Sequence, residues 1–261
     1  MISIAVGALT AGRFSPLRNI FLACLSGGII TAAANAVNDY FDIEIDRINK
    51  PQRPLPAGKL QPGAVRNFAI LLFCIGPVLG GFISLTAFII ALSASVLLFF
   101  YSSHFKRTVL WGNFIVSYFS ALAFIYGGVA VNRVEIAVIP AAFAFFFHFG
   151  REILKDIEDM EGDRLEKADT FPVRFGLRCS RRLITLIFFL LICLTFLPYI
   201  YQVFGKIYLL IVLFGVDLFL LFVIISLWRD ASKANLHKLS EWLKLDMLVG
   251  LLSVLAGVYL S

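Results

Sequence analysis

Leu183–Gln202 reads LITLIFFLLICLTFLPYIYQ, and after a short polar break Ile207–Trp228 reads IYLLIVLFGVDLFLLFVIISLW. Each run matches the roughly 20 residues that carry an α-helix across a bilayer core, and each is about twice as long as a barrel strand. Neither alternates apolar and polar residues with period two. A segment of this kind satisfies its backbone polar groups in lipid only by closing its own helical hydrogen bonds. These two runs therefore set the fold class: an all-α, multi-pass transmembrane bundle.

Similar runs extend the pattern to both ends: Pro16–Tyr40, Ala64–Leu85, Thr86–Ser103, Trp111–Val131, Val134–Gly150 and Leu243–Leu260. With Met1–Gly12 they make nine segments of one membrane domain covering residues 1–261. Met1–Gly12 is too short to cross and lacks the basic segment and small-residue cleavage site of a signal peptide. It reads as the back half of a helix, either a half-membrane segment or the remainder of a span beginning upstream. Composition agrees: 60% of the 261 residues are hydrophobic and 15% charged, with a mean hydropathy of +0.89. These values exclude a soluble enzyme, a secreted disulfide scaffold and a disordered chain. The four cysteines (Cys24, Cys74, Cys179, Cys193) show no metal-ligand spacing and carry no chemistry in this reading.

The net charge of +6 is first a statement about topology. Threading the segments alternately through the membrane puts 19 of the 23 Lys and Arg residues on one side, leaving Arg13, Arg18, Arg133 and Lys206 on the other. By the positive-inside rule the crowded side is cytoplasmic and the protein belongs in the cell membrane. With the basic residues so explained, nothing points to a nucleic-acid partner, and no obligate protein partner is implied.

Most acidic residues lie on that same side, in two clusters of one pattern, D-x-x-D-x-x-x-D-R-x-x-K. Asp39, Asp42, Asp46, Arg47 and Lys50 match Asp156, Asp159, Asp163, Arg164 and Lys167 at a constant offset of 117 residues, a pseudo-repeat over 38–50 and 155–167. At 100° per residue the three aspartates of each copy share one helical face, with Asn38 beside the first. Like charges so placed repel, and near a membrane they are poorly solvated, so such faces call for a cation. Carboxylate and amide oxygens suit Mg²⁺, which keeps some waters and bridges to phosphate oxygens. Two such faces opposed would clamp a diphosphate with two ions, while Arg47, Lys50, Arg53, Lys106, Lys155 and Arg164 supply positive charge for a leaving diphosphate.

Lys50–Gly58, KPQRPLPAG, has three prolines and must leave the helix. It is either a plain helix stop or a rim holding Lys50 and Arg53 over the metals. Among many aromatics, Tyr101 stands at a depth near the acidic faces, where its ring would stabilise a cation. His104 and His148 have no second ligand at metal spacing and read as structural.

The two motifs, N-D-Y-F-D-I-E-I-D-R-I-N-K-P-Q-R-P-L-P-A-G from Asn38 and R-E-I-L-K-D-I-E-D-M-E-G-D-R from Arg151, resemble those of the UbiA superfamily of intramembrane prenyltransferases, in order and topology over nearly the whole chain. The resemblance implies Mg²⁺-dependent transfer of a prenyl group from a prenyl diphosphate to an acceptor, in a cavity open to lipid. It implies that Asn38, Asp42, Asp46, Asp159 and Asp163 hold the Mg²⁺–diphosphate and that Lys50, Arg53 and Lys106 contact phosphate. Two features depart from the pattern: no Arg-Pro-x-Asn segment precedes Met1, and the usual Tyr-x-x-x-Lys spacing is one residue longer between Tyr101 and Lys106. Within the superfamily the wording of both motifs most resembles archaeal digeranylgeranylglyceryl phosphate synthases, which implies a geranylgeranyl donor and a geranylgeranylglyceryl phosphate acceptor. Aromatic acceptors of the 4-hydroxybenzoate, naphthoate or chlorophyll type are the alternative within the superfamily. An ion-coupled transporter is the alternative outside it. A transporter requires acidic residues in mid-span, and Asp217 reads as the only aspartate well inside an apolar run.

Overall fold

The computed structural model describes residues 1–12, 15–165 and 167–260. Arg13 falls outside them, as do the side chains of Asn49 and Arg107. Among the described residues every regular element is helical: α1 (Ile2–Thr10), α2 (Leu17–Phe41), α3 (Ile43–Asn49), α4 (Pro62–Gly81), α5 (Leu85–Ser103), a 3₁₀ turn (Phe105–Arg107), α6 (Trp111–Ala130), α7 (Val134–Leu165), α8 (Phe171–Ile200), α9 (Lys206–Ile211), a π segment (Val212–Asp217), α10 (Leu218–Arg229) and α11 (Lys233–Tyr259). Eight helices are long and apolar enough to cross a membrane, with α9, the π segment and α10 counting as one span.

The ninth segment, α1, is a nine-residue helix that does not span. Its Met1 lies against Gly28 in the middle of α2, while at its other end the Leu9 carbonyl accepts a hydrogen bond from Tyr259 Oη of α11 at 2.7 Å. It is held by backbone proximity to α6. A Cβ on Gly127 would stand 2.0 Å from the Ile4 carbonyl oxygen, and one on Gly7 would stand 2.3 Å from that of Phe124. Only glycine permits such an approach, the usual device for close helix packing in lipid.

The helices form two clusters sharing the α6–α7 seam. One core gathers Ile4, Ala23, Ile30, Ala87, Ala91 and Tyr126 from α1, α2, α5 and α6. The other gathers Phe147, Leu154, Phe188, Leu191, Leu220 and Leu243 from α7 to α11. Many apolar side chains point outward, among them Phe82, Leu85, Phe189 and Phe214, as expected where lipid is the solvent.

Helix boundaries follow local chemistry. Ser84 opens α5 by accepting from the Ala87 N–H at 3.1 Å, and Ser232 opens α11 through the Asn235 N–H at 3.3 Å. In α7 the helix does not stop at Gly150, where the apolar run ends, but continues to Leu165. Beyond Gly150 it turns amphipathic: Ile153, Leu154 and Ile157 stay buried while most of the charged residues, Arg151 excepted, take the other side. In α8, Gly176 adopts φ 79°, which breaks the helix geometry and bends the chain as it enters the membrane.

Candidate active site

The first acidic motif sits on a broken helix. α2 ends at Phe41, Asp42 takes φ −90° and ψ 4°, and α3 restarts at Ile43. The Lys50 N–H closes α3 onto the Asp46 carbonyl at 2.8 Å, and Pro51 prevents continuation. The proline-rich loop then folds back over the helix it left. Arg53 Nη1 donates to Asp39 Oδ1 at 2.9 Å and to Asp46 Oδ2 at 2.8 Å, and the Asp46 side chain is only 8% exposed.

A second cation reaches the same helix from far along the chain. α5 stops at Ser103, His104 turns the backbone with φ −134°, and the 3₁₀ turn follows. This turn directs Lys106 onto α2, where its Nζ donates to Asn38 Oδ1 at 3.1 Å and makes a very short contact with Asp42 Oδ2.

The second motif lies on unbroken α7 and receives hydrogen bonds from two neutral side chains. Asn113 Nδ2, from the first turn of α6, donates to Asp156 Oδ2 at 2.7 Å. Thr170 Oγ1, just before α8, donates to Asp163 Oδ2 at 3.0 Å. Asp159 is exposed on the face between them. Glu152, one turn earlier, pairs with Arg151 at 2.9 Å and Lys155 at 3.5 Å.

Tyr101 ties the two motifs together. Its hydroxyl lies within electrostatic reach of Asp42 on α2 and of Glu152 and Asp156 on α7. A cavity of about 950 Å³ opens beside it, with Asn35, Asn38 and Tyr101 at the polar end and Leu98, Ile115 and Phe119 along the apolar wall. The arrangement is an anionic, cation-bearing rim above a largely apolar chamber.

The pattern of the UbiA prenyltransferase family matches residues 1–246. The chain belongs to the UbiA prenyltransferase family. It is 34% identical over 259 residues to the digeranylgeranylglyceryl phosphate synthase of Methanothermobacter thermautotrophicus, covering 98% of this chain and 90% of that protein. A solved structure concerning digeranylgeranylglyceryl phosphate synthase in membranes superposes with a TM-score of 0.88 at 35% identity, covering 100% of this chain and 93% of the other. A UbiA homolog from Archaeoglobus fulgidus bound to GPP and Mg²⁺ has a TM-score of 0.67 at 18% identity, over 96% and 94% of the two chains, a likeness of fold.

Among the described residues, no three His, Cys, Asp or Glu side chains converge closely enough to make a metal nest by themselves. The first-motif oxygens come instead in pairs, Asn38 with Asp42 and Asp39 with Asp46, each pair gathered around a side-chain cation. Paired hard oxygens sharing one positive charge are a donor set that fits Mg²⁺ with phosphate oxygens and water filling its remaining positions. The UbiA cofactor is thus compatible with these residues.

The structure does not bring every predicted residue to the rim. Arg47 pairs with exposed Glu44 at 2.9 Å, on the outer side of α3. Arg164 is exposed near the Met160 sulfur, and Lys50 is exposed as well. Conversely, Asn113 and Glu152 enter the network although the sequence did not single them out, and Asp39 and Asp156 enter it from the acidic faces although the family resemblance did not carry them into the ligand set. The 117-residue offset carried a signal for two of them, because it aligns Asp39 with Asp156 as the opening aspartate of each motif. Asn113 had none: an asparagine opening an apolar helix looks like any other polar boundary residue.

Proposed function

We propose that the protein transfers a geranylgeranyl group from geranylgeranyl diphosphate to the free hydroxyl of geranylgeranylglyceryl phosphate, with the acidic motifs facing the cytoplasm. The observation that carries this reading is the pairing of Lys106 and Arg53 with the first-motif oxygens beside Tyr101, at the mouth of an apolar chamber. Similarity to enzymes named for this product over nearly the full length supports the acceptor class.

Asn38, Asp42 and Asp46 would hold one Mg²⁺ and Asp159 and Asp163 a second. Bound there, Mg²⁺ supplies Lewis-acid neutralisation of the diphosphate. Lys106 and Arg53, which balance the carboxylates, are placed to share their hydrogen bonds with diphosphate oxygens. The C1–O bond of the donor breaks with its electron pair leaving on diphosphate. Tyr101 presents its ring to the allylic centre that develops, while Leu98, Ile115 and Phe119 exclude water. The acceptor hydroxyl oxygen then bonds to C1 and releases its proton. An electrophile of this kind requires no strong base.

Purified protein with geranylgeranyl diphosphate and Mg²⁺ is expected to release diphosphate and form an ether-linked digeranylgeranyl product only when geranylgeranylglyceryl phosphate is present. Turnover with 4-hydroxybenzoate or a naphthoate in its place would overturn the acceptor assignment. Release with no acceptor tested would overturn the reading as a whole.

A further inference from the structure

Two aspartates lie in mid-span, far from the cytoplasmic motifs. Asp217, the residue singled out in the sequence, closes the π segment and is 1% exposed. Asp246 is the second: it stands thirteen residues into the 27-residue helix α11 and is 6% exposed, so Asp217 is not alone. Its single place near the start of an apolar run disguised it, because the membrane helix begins ten residues earlier than hydropathy suggests. The π segment packs along α11, and Thr195, whose hydroxyl reaches Asp217, lines the same cleft as Asp246.

An inventory of donors shows what this spot lacks. Thr195 Oγ1 lies 2.6 Å from the Ile192 carbonyl oxygen and 3.1 and 3.2 Å from the two Asp217 oxygens. A hydroxyl has one hydrogen, so it cannot serve all three acceptors. Asp246 Oδ2 is fully buried and has no hydrogen-bond partner. It lines a cleft whose walls include Phe143, Phe147, Val216 and Leu251. Among the described residues the only basic side chain on that cleft is His148, and it makes no hydrogen bond to either aspartate. Buried acceptors without donors are costly in a medium where water is scarce.

We propose that Asp217 and Asp246 form an intramembrane site for one monovalent metal cation, Na⁺ in type, with the oxygens of Thr195 completing its shell. Carboxylates beside an irregular helix segment are the arrangement by which membrane proteins take up such ions. Mg²⁺ fits poorly, because it retains waters that apolar walls cannot bind. One cation with one proton shared between the carboxyls leaves the cluster neutral. This site is distinct from the one assigned to Mg²⁺–diphosphate, and its occupancy would fasten α8, the π segment and α11 together.

The test uses the full chain in detergent micelles, in chloride salts of equal ionic strength. The thermal midpoint is expected to rise saturably with Na⁺ over choline, by several degrees, and ²²Na⁺ is expected to bind at one equivalent. Asp246→Asn is expected to lose both effects while remaining monodisperse. Should that variant fail to fold, ²²Na⁺ binding to the unmodified protein still decides. Absence of saturable ²²Na⁺ binding, or a midpoint that follows pH alike in Na⁺, K⁺ and choline, would overturn the proposal, because protons alone would then neutralise the pair.

Discussion

The two acidic motifs share a sequence pattern and differ in everything that surrounds it. The first lies on a helix broken at Asp42 and is neutralised by cations, Lys106 and Arg53. The second lies on continuous α7 and is held by the neutral side chains of Asn113 and Thr170. A carboxylate bonded to a lysine or arginine has its charge already balanced, and that cation can turn toward an arriving anion. A carboxylate bonded to an amide or hydroxyl is oriented by that bond without having its charge balanced by it. The first motif is gripped by the Arg53 and Lys106 side chains, which can turn, while amide and hydroxyl donors orient Asp156 and Asp163 in the second.

The comparison is tested most severely at the carboxylates proposed to hold Mg²⁺. Asp42→Asn and Asp163→Asn are each expected to lower Mg²⁺-dependent kcat/KM by about 10²-fold or more, with elution behaviour unchanged. Turnover near the unmodified level in either would remove that motif from the site. The next largest effect separates the two kinds of partner. Lys106→Met should cost about 10²-fold in kcat, as for loss of a group that meets developing charge. Asn113→Leu, which only orients Asp156, should cost about tenfold. Equal losses would erase the distinction between the motifs.

Tyr101, which faces both, gives a finer reading. Tyr101→Ala should reduce kcat by about tenfold and Tyr101→Phe by no more than about threefold, because the ring and not the hydroxyl meets the cationic centre. A Phe variant as slow as the Ala variant would assign the hydroxyl the larger part. The smallest expected effect is at Arg47 and Arg164. Both stand at exposed positions, where ion pairs are worth little, and replacement by Ala should leave kcat/KM within about twofold. A large loss would place them on the diphosphate after all.

Several of these features were visible before any coordinates. Run length gave the number and order of the long helices, because lipid imposes a length and a polarity on every crossing helix, although α7, α8 and α11 extend well beyond their apolar runs. The recurring spacing picked out Asp39, Asp42 and Asp46 with Asp156, Asp159 and Asp163, since spacing is a property of the chain, and the family resemblance narrowed that set. The extension of α7 to Leu165 was hidden, because hydropathy ends where the lipid does while helical hydrogen bonding need not. Asp246 was hidden by the same mismatch between an apolar run and a helix.

The order of residues along this chain determined that it is a multi-pass bundle of membrane helices, that alternate threading gathers its basic residues on one side, and which two stretches carry acid on one face. It did not determine which cation meets which acid. Lys106 meets Asn38 across 68 positions and Asn113 meets Asp156 across 43, pairings that depend on how helices lean and where a 3₁₀ turn points. Local periodicity records the solvent each residue faces, whereas partners so distant are chosen only when the helices pack.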